Sequence, residues 1–439
     1  MCKKLLPAVL LLGLSVLCMG QNQVPEISNV SVKVDPKSRT AFIKYDLADQ
    51  EDDDLTVYLT VSEDNGKRYL VDTRRAQGDL GEGIAPGKDK KIVWEYGTFN
   101  AHISMIYFRI VADDGYRISV DDIMKEVEED RIRDDLARLT LGQNHQTEEG
   151  HKGLYIVRDD IEKSYQTAGL DIQTQKFSFG GYNGKNIIGK KAGIANEKDN
   201  YIVFAHYDSR EAKIGSVVNM SGIVGVLESM RILSKYNFKK SIRWAAFDLS
   251  YPEYMGSSFY VWKDGGFPKD ENIEGGYFLN GIGSDIHQPG EFLDVFKIDE
   301  RDQWLREEYK GNFVFAIGNT RSQDMVDKFR ESIDKYKPEM KFSSKVVEGY
   351  GEKYYSIQNG DQSAFWYHKY KAIALTTWTG TRPISYPKDA KTYADAALVL
   401  NSTDAISKIV QVTIANIIEA AEIQHVGIYE SSLMDHLRS

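Results

Sequence analysis

A histidine and an aspartate lie two positions apart at the end of an apolar, strand-like run. The run reads YIVFAHYD, residues 201–208, and supplies His206 and Asp208. A short loop leads from it into GSVVNMSGIVGVLESMRIL, which has the pattern of a helix. This placement suggests a metal site, because His and Asp are common ligands and strand ends are common sites. The same region nevertheless carries Val217 and Val218, which offer no donor atom to a metal.

The composition indicates an ordinary folded protein. The chain has 439 residues, 42% hydrophobic and 27% charged, which is enough for two or three domains. Its formal net charge is −10 and no basic run stands out, which argues against nucleic-acid binding as the main task. No segment after the first twenty residues is apolar for long enough to span a bilayer, so no transmembrane segment is expected.

Residues 1–20 are predicted to be a signal peptide. Lys3 and Lys4 form a positive start, residues 5–17 form an apolar stretch, and small residues precede a cut before Gln21. We therefore expect an exported protein that is periplasmic, exposed at the cell surface or secreted. The style of this leader favours a bacterial cell envelope.

A lipoprotein anchored at Cys18 is the alternative interpretation of the leader. Leu17 disfavours it, because a lipoprotein signal has a small residue just before the cysteine. Cys2 and Cys18 are the two cysteines of the sequence. Cleavage before Gln21 would remove both, so we expect neither disulfides nor thiol chemistry in the mature chain.

Residues 21–115 are predicted to form an all-β domain. Hydrophobic residues alternate in six runs, at 26–34, 39–47, 55–62, 68–73, 90–96 and 104–112, separated by turn-rich segments. This spacing is typical of an immunoglobulin- or fibronectin-like β-sandwich, which would serve adhesion, spacing or docking. One turn carries five acidic residues that are either a solvated loop, which we favour, or a Ca²⁺ site. These residues are Asp49, Glu51, Asp52, Asp53 and Asp54.

From residue 119 to 439 the pattern predicts an α/β domain with a mixed central sheet flanked by helices. Helices are predicted at 129–139, 151–168, 220–236, 322–336, 361–370 and 402–423. Strands are predicted at 173–179, 184–190, 200–207, 241–248, 275–282, 312–317 and 372–378. Functional sites in such sheets form at the carboxyl ends of the strands, where His206, Asp248 and Asn280 are expected.

Four further motifs follow AHYDS in order: GSVVNMSG (215–222), DLSYPEYMGS (248–257), NGIG (280–283) and ISYPKD (384–389). Together they resemble the co-catalytic di-zinc aminopeptidase family, whose relatives include glutamate carboxypeptidases, glutaminyl cyclases, the transferrin receptor and nicastrin. The resemblance covers residues 119–423, and DQSAFW (361–366) also resembles a family segment. It implies the zinc-aminopeptidase fold.

The resemblance also implies a role for each motif position. It makes His206 a zinc ligand and Asp208 the carboxylate that orients it. The positions of the bridging ligand, the general base and three further ligands hold, in that order, Val218, Ser250, Tyr251, Asn280 and Ser385.

Only one of the five implied zinc ligands is therefore present. Zinc needs three or four N, O or S ligands, and without it there is no activated water for hydrolysis. We therefore predict a catalytically inactive pseudopeptidase without catalytic residues or cofactor. The alternative is an active metallo-aminopeptidase or glutaminyl-cyclase-like enzyme whose site is rebuilt around zinc. Its ligands would be His206, Asp208, Glu253 and His287.

The expected partners are other envelope proteins. Segments rich in Tyr and Trp in the C-terminal third, such as AFWYHKY (364–370), could line a cleft for a peptide or glycan, or could be ordinary core and surface residues.

Overall fold

The computed structural model describes residues 22–96, 102–209, 215–250, 254–262, 266–284, 313–358, 360–377 and 387–437. The predicted signal peptide lies outside these residues. Among the residues that the structure describes, no helix combines the length and the apolar character needed to cross a membrane.

Two four-stranded antiparallel sheets form the N-terminal part of the chain. Their orders are β1-β2-β6-β4 and β18-β7-β3-β5. The strands alternate between the solvent and a shared core that includes Val32, Tyr45, Leu59 and Ile110. The strands are β1 (Glu26–Asp35), β2 (Thr40–Ala48), β3 (Leu55–Ser62), β4 (Ala76–Gly78), β5 (Gly81–Ile84), β6 (Gly87–Glu95), β7 (Tyr107–Asp113) and β18 (Val426–Ser432).

The C-terminus departs from the predicted division of the chain at residue 119. Strand β18 pairs antiparallel with β7, from Val426 opposite Asp113 to Ser432 opposite Tyr107. The helix that follows it places Leu433 in the core of the N-terminal sheets. Residues 426–437 therefore complete the first unit, although the prediction assigned them to the second.

The α/β unit is built around an eight-stranded mixed sheet of order β15-β14-β16-β13-β10-β12-β9-β8. Strands β12, β10, β13 and β16 run parallel, and β8, β9 and β14 join them through antiparallel pairs. The strands are β8 (Asp171–Phe179), β9 (Tyr182–Lys191), β10 (Asn196–His206), β12 (Lys240–Phe247), β13 (Asn272–Leu279), β14 (Phe313–Asn319), β15 (Lys341–Val347) and β16 (Ala372–Thr376). Strands β11 (Asn237–Phe238) and β17 (Ile423–Gln424) form a separate short pair. The predicted fold class is confirmed.

Helices cover both faces of this sheet. The long helix α4 is buried from residue 220 to residue 230, whereas α2 and α3 bury one stripe and expose the other. The helices are α1 (Val120–Met124), α2 (Glu129–Leu139), α3 (Glu148–Thr167), α4 (Gly215–Leu233), α5 (Met255–Val261), α6 (Gln323–Tyr336), α7 (Tyr355–Gln358), α8 (Asp361–Tyr367), α9 (Tyr393–Leu400), α10 (Thr403–Ala420) and α11 (Leu433–Leu437).

A buried network of charged side chains lies where the two units meet. Lys190 Nζ lies 3.0 Å from Glu197 Oε1 and 3.2 Å from Glu271 Oε1, and Arg243 Nη2 donates to Glu271 Oε2 at 2.8 Å. Glu197 Oε2 also accepts the backbone N–H of Tyr69 at 2.7 Å. The segment 68–73, predicted as a strand, forms none, and its Val71 N–H donates to the Val61 carbonyl at 3.1 Å.

We predict that Glu271→Gln lowers the free energy of unfolding by about 3–5 kcal/mol, because Arg243 and Lys190 lose a buried charged partner. Burial raises the pKa of Glu271, but the charges of Arg243 and Lys190 lower it more, so it lies below the ordinary 4.5. The stabilisation is thus present above about pH 4.5 and is lost as the pH falls through the lowered pKa. Urea denaturation at several pH values measures both effects.

The neighbouring Asp270→Asn is the matched control. Asp270 pairs with Arg68 at 3.4 Å on the surface, so we expect a change within about 0.5 kcal/mol. Equal losses in the two variants would contradict the assignment of the stabilisation to the buried network.

Candidate functional site

Three parallel strands bring the predicted site residues together at the carboxyl-terminal end of the sheet. His206 is the last residue of β10 and is paired with Phe247, so Asp248 follows directly on the neighbouring strand. Asn280 follows β13 on the other side of β10, and its N–H donates to the Leu375 carbonyl at 2.9 Å. The strand ends therefore converge as the sequence predicts.

His206 is held by a buried carboxylate. Its Nδ1 lies 2.6 Å from Asp361 Oδ2, and both residues are buried. Burial lowers the pKa of His206, but Asp361 and Asp208 raise it more, so it lies above its ordinary value. Asp361 thus occupies one of the two nitrogens of the imidazole.

Asp248 is a fully buried carboxylate that accepts four hydrogen bonds. Oδ1 accepts from His145 Nε2 at 2.7 Å and from the Leu249 N–H at 2.9 Å. Oδ2 accepts from the Lys185 N–H at 2.8 Å and from Arg158 Nη2. Burial raises the pKa of Asp248, but the His145 hydrogen bond and the Arg158 charge lower it more, so the group is held ionised.

Asp208 lies beside this carboxylate. Its Oδ1 accepts the Ser250 N–H at 2.9 Å. Burial, and then the charge of Asp248, raise its pKa to about 6. One ligand atom each from His145, Asp208 and Asp248 lie within 4.8 Å of one another, the one such group of three found among the described residues.

A tight turn after β12 presents Ser250. Leu249 and Tyr254 both adopt left-handed backbone conformations, at φ 48° and 52°, which side chains other than glycine rarely take up. Gly256 must be glycine, because a Cβ there would lie 2.2 Å from the Asp248 carbonyl oxygen. The Ser250 side chain is buried, and its Oγ has no hydrogen-bond partner in the described part of the chain.

Known proteins share this architecture. A sequence model described as Peptidase family M28 matches residues 186–408, just over half of the chain. The chain belongs to peptidase family M28. The resemblance predicted from the five motifs is thus confirmed, and no curated protein matches the sequence.

Solved structures of M28-like aminopeptidases align with this chain at low identity. The LapA aminopeptidase of Legionella pneumophila is 15% identical, with 70% of this chain and 75% of that chain covered and a TM-score of 0.51. An aminopeptidase from Aneurinibacillus sp. strain AM-1 is 12% identical, with 70% and 97% covered and a TM-score of 0.50. A zinc aminopeptidase from Bacillus subtilis is 20% identical at a TM-score of 0.40, and the alignment covers 56% of this chain and about half, 52%, of that enzyme. The two likenesses with TM-scores of 0.50 and 0.51 show the fold alone.

Some of the predicted M28 site residues lie in the described part of the chain and others do not. Four of them are described and lie where the parallel strands end, namely His206, Asp208, Ser250 and Asn280. Val218 lies in the first turn of α4, and its side chain is outside the description. Tyr251, Glu253, His287 and Ser385 also lie outside the described residues.

The residues present do not fit the zinc pair that the M28 fold implies. Of the implied ligands, His206 alone keeps its donor, and a single histidine is too few for a zinc site. Val218 has no donor atom, and the amide of Asn280 is neutral and a weak ligand. We therefore derive no catalytic step through zinc.

The group of His145, Asp208 and Asp248 was not predicted as a set. Asp248 was found through its motif, but GQNHQTEEGH around His145 and the helix around Arg158 give no motif signal in the sequence. Both Asp248 oxygens already accept two hydrogen bonds each. A metal here would have to displace the contact of His145 with Asp248.

We predict that Asp248→Asn destabilises the folded chain by about 3–5 kcal/mol, because it leaves Arg158 buried without its charged partner. The matched control is Asp159→Asn on the same helix as Arg158, because Asp159 pairs with Lys163 at the surface. We expect the control to stay within about 0.5 kcal/mol. Thermal and urea denaturation would measure both, and an unaltered Asp248→Asn variant would contradict the structural role of this carboxylate.

Proposed function

We propose that this member of family M28 is an exported pseudopeptidase that acts as a binding or scaffolding component of the bacterial cell envelope. The observation that carries the proposal is the lack of donors at the implied zinc positions. His206 keeps the imidazole that the resemblance makes a ligand, whereas the other four positions hold Val218, Tyr251, Asn280 and Ser385. Zinc needs three or four N, O or S ligands, and one histidine does not supply them.

The general base position supports the same conclusion. Hydrolysis by a metallopeptidase needs a group that takes a proton from water near neutral pH, a task suited to a carboxylate or an imidazole. Ser250 stands at that position, and a hydroxyl group is too weak a base for it. The Ser250 side chain is also buried.

A binding role suits the rest of the chain. The two N-terminal sheets resemble the architecture of adhesion and spacer domains, and the leader supports export. The acidic net charge of −10 disfavours nucleic acid as a partner. Envelope proteins, peptides and glycans are the partner classes that remain within the proposal.

A remodelled metallo-aminopeptidase or glutaminyl-cyclase-like enzyme is the second candidate. The observation that favours it is the buried group of His145, Asp208 and Asp248. One imidazole and two carboxylates are a chemically reasonable donor set for a divalent metal. The balance of charge argues against this candidate, because Arg158 and the surrounding N–H groups already compensate the negative charge of Asp248.

Metal content and turnover separate the two candidates. We expect the purified full chain, expressed with zinc in the medium, to contain clearly substoichiometric zinc by elemental analysis. We also expect no hydrolysis of aminoacyl p-nitroanilides and no cyclisation of N-terminal glutamine above the uncatalysed rates. An active M28 aminopeptidase assayed in parallel shows that the assays can detect activity.

Two variants test the opposite outcome. His206→Ala probes the inherited ligand and His145→Ala probes the newly found group. Stoichiometric zinc with turnover in the parent chain, lost together in either variant, would refute the pseudopeptidase. Zinc lost only in His145→Ala would locate the metal at the group with Asp208 and Asp248.

Export makes a separate prediction about the N-terminus. We expect mass spectrometry of the protein from its native envelope to find a chain that begins at Gln21, because small residues precede that position. A chain that begins with an acylated Cys18 would show instead that the protein is a lipoprotein anchored at that residue. An intact Met1 in the cytoplasm would contradict export.

A further inference from the structure

A surface cavity of about 550 Å³ lies between helix α3 and the β8–β9 hairpin. Its volume falls in the range of sites for small molecules. One of the residues that line it is Arg158, which extends from α3 and donates to Asp248. The lining includes Tyr155, Arg158, Glu162, Lys176, Phe177 and Asn183.

Arg158 lines this cavity and uses two of its three guanidinium nitrogens within the chain. Nε donates to the Tyr207 hydroxyl at 2.8 Å, and Nη2 donates to Asp248. Within the described residues, no partner is found for Nη1. The buried ion pair fixes the orientation of the group, so the free edge at Nη1 is held in place without a ligand.

The uncompensated charge at the cavity is positive. The two carboxylates of the lining are both paired, Glu162 with Lys185 and Asp159 with Lys163 at 2.6 Å. Lys176 is exposed and has no ion-pair partner among the residues described. An incoming anion would therefore meet Lys176 and the Arg158 edge without competition from a free carboxylate.

A flat aromatic face adjoins this charge. Tyr155 is 67% exposed, and the Arg158 guanidinium lies 5.6 Å from the centre of its ring. The Phe177 ring lies over Gly184, where a Cβ would come within 2.4 Å of it. An exposed aromatic ring of this kind favours a ligand with a flat apolar face of its own.

We propose that this cavity binds a small ligand in which a carboxylate adjoins a flat apolar face. The carboxylate lies against Lys176 and the free edge of Arg158, and the apolar face lies against Tyr155. An acidic sugar and the C-terminal end of an aromatic peptide share this chemistry. The lining contains none of the implied zinc-ligand positions, so the inference does not depend on the proposed loss of catalysis.

Titration of the full chain with two pairs of small molecules tests the site and its ligand source. D-glucuronate is compared with D-glucose, and N-acetyl-L-phenylalanine with its neutral amide, by NMR chemical-shift perturbation. We expect at least one acid to bind with a Kd of about 1 mM, and its neutral counterpart to bind at least several-fold more weakly. The pair that responds identifies the sugar or the peptide as the source.

Exposed variants place the binding at this cavity. We expect Lys176→Ala to weaken the acid about two- to fivefold, and Lys176→Glu to weaken it further. Tyr155→Ala should weaken it to a similar degree. Lys152→Ala on the same helix and Tyr367→Ala, with a ring that is 68% exposed elsewhere, are the matched controls and should bind as the parent does.

Three results would overturn the proposal. They are binding of neither acid, equal binding of acids and neutral counterparts, and acid binding that Lys176→Glu leaves unchanged or strengthens. Circular dichroism of each variant confirms that the fold is intact, which the exposure of Lys176 and Tyr155 leads us to expect.

Discussion

The buried carboxylate of Asp248 is the constraint on which the site depends. An ionised carboxylate without solvent must have its charge and its lone pairs satisfied by the protein. Asp248 meets this demand with four donors, one each from the loop before α3, from α3, from strand β9 and from its own turn. This one requirement determines the position of α3 against the sheet. It therefore also determines the position of the cavity that Arg158 lines.

The need to pair buried charges also accounts for contacts that join the two structural units. Glu197 and Glu271 are buried where the N-terminal sheets meet the α/β sheet, and Lys190 lies between them. Tyr69 contributes a backbone donor from the first unit, and β18 returns the C-terminus of the chain to that unit. The N-terminal sheets are therefore joined to the α/β unit by a buried hydrogen bond and by the C-terminal strand, in addition to the chain connection.

The sequence predicted those features that arise from local pattern. The strands β10 and β12 and the helices α2 and α6 were predicted with bounds close to the observed ones, because continuous apolar runs and period-3.6 patterns record burial directly. The addition of β18 to the N-terminal sheet was not predictable in this way, because strand pairing over such a distance leaves no local signal. For the same reason, His145 and Arg158 became site residues only when the fold placed them beside Asp248.

The motif positions that the chain retains are the ones that also have a structural role. A Cβ on Gly222 would lie 2.1 Å from the Leu279 carbonyl oxygen, and one on Gly256 would lie 2.2 Å from that of Asp248. Asp248 anchors α3, and these three positions would destabilise the fold if changed, with or without a metal. Val218 and Ser250 stand where the family pattern places groups that serve only the metal reaction. Packing therefore accounts for the two retained glycines and for Asp248, whether or not the chain binds a metal.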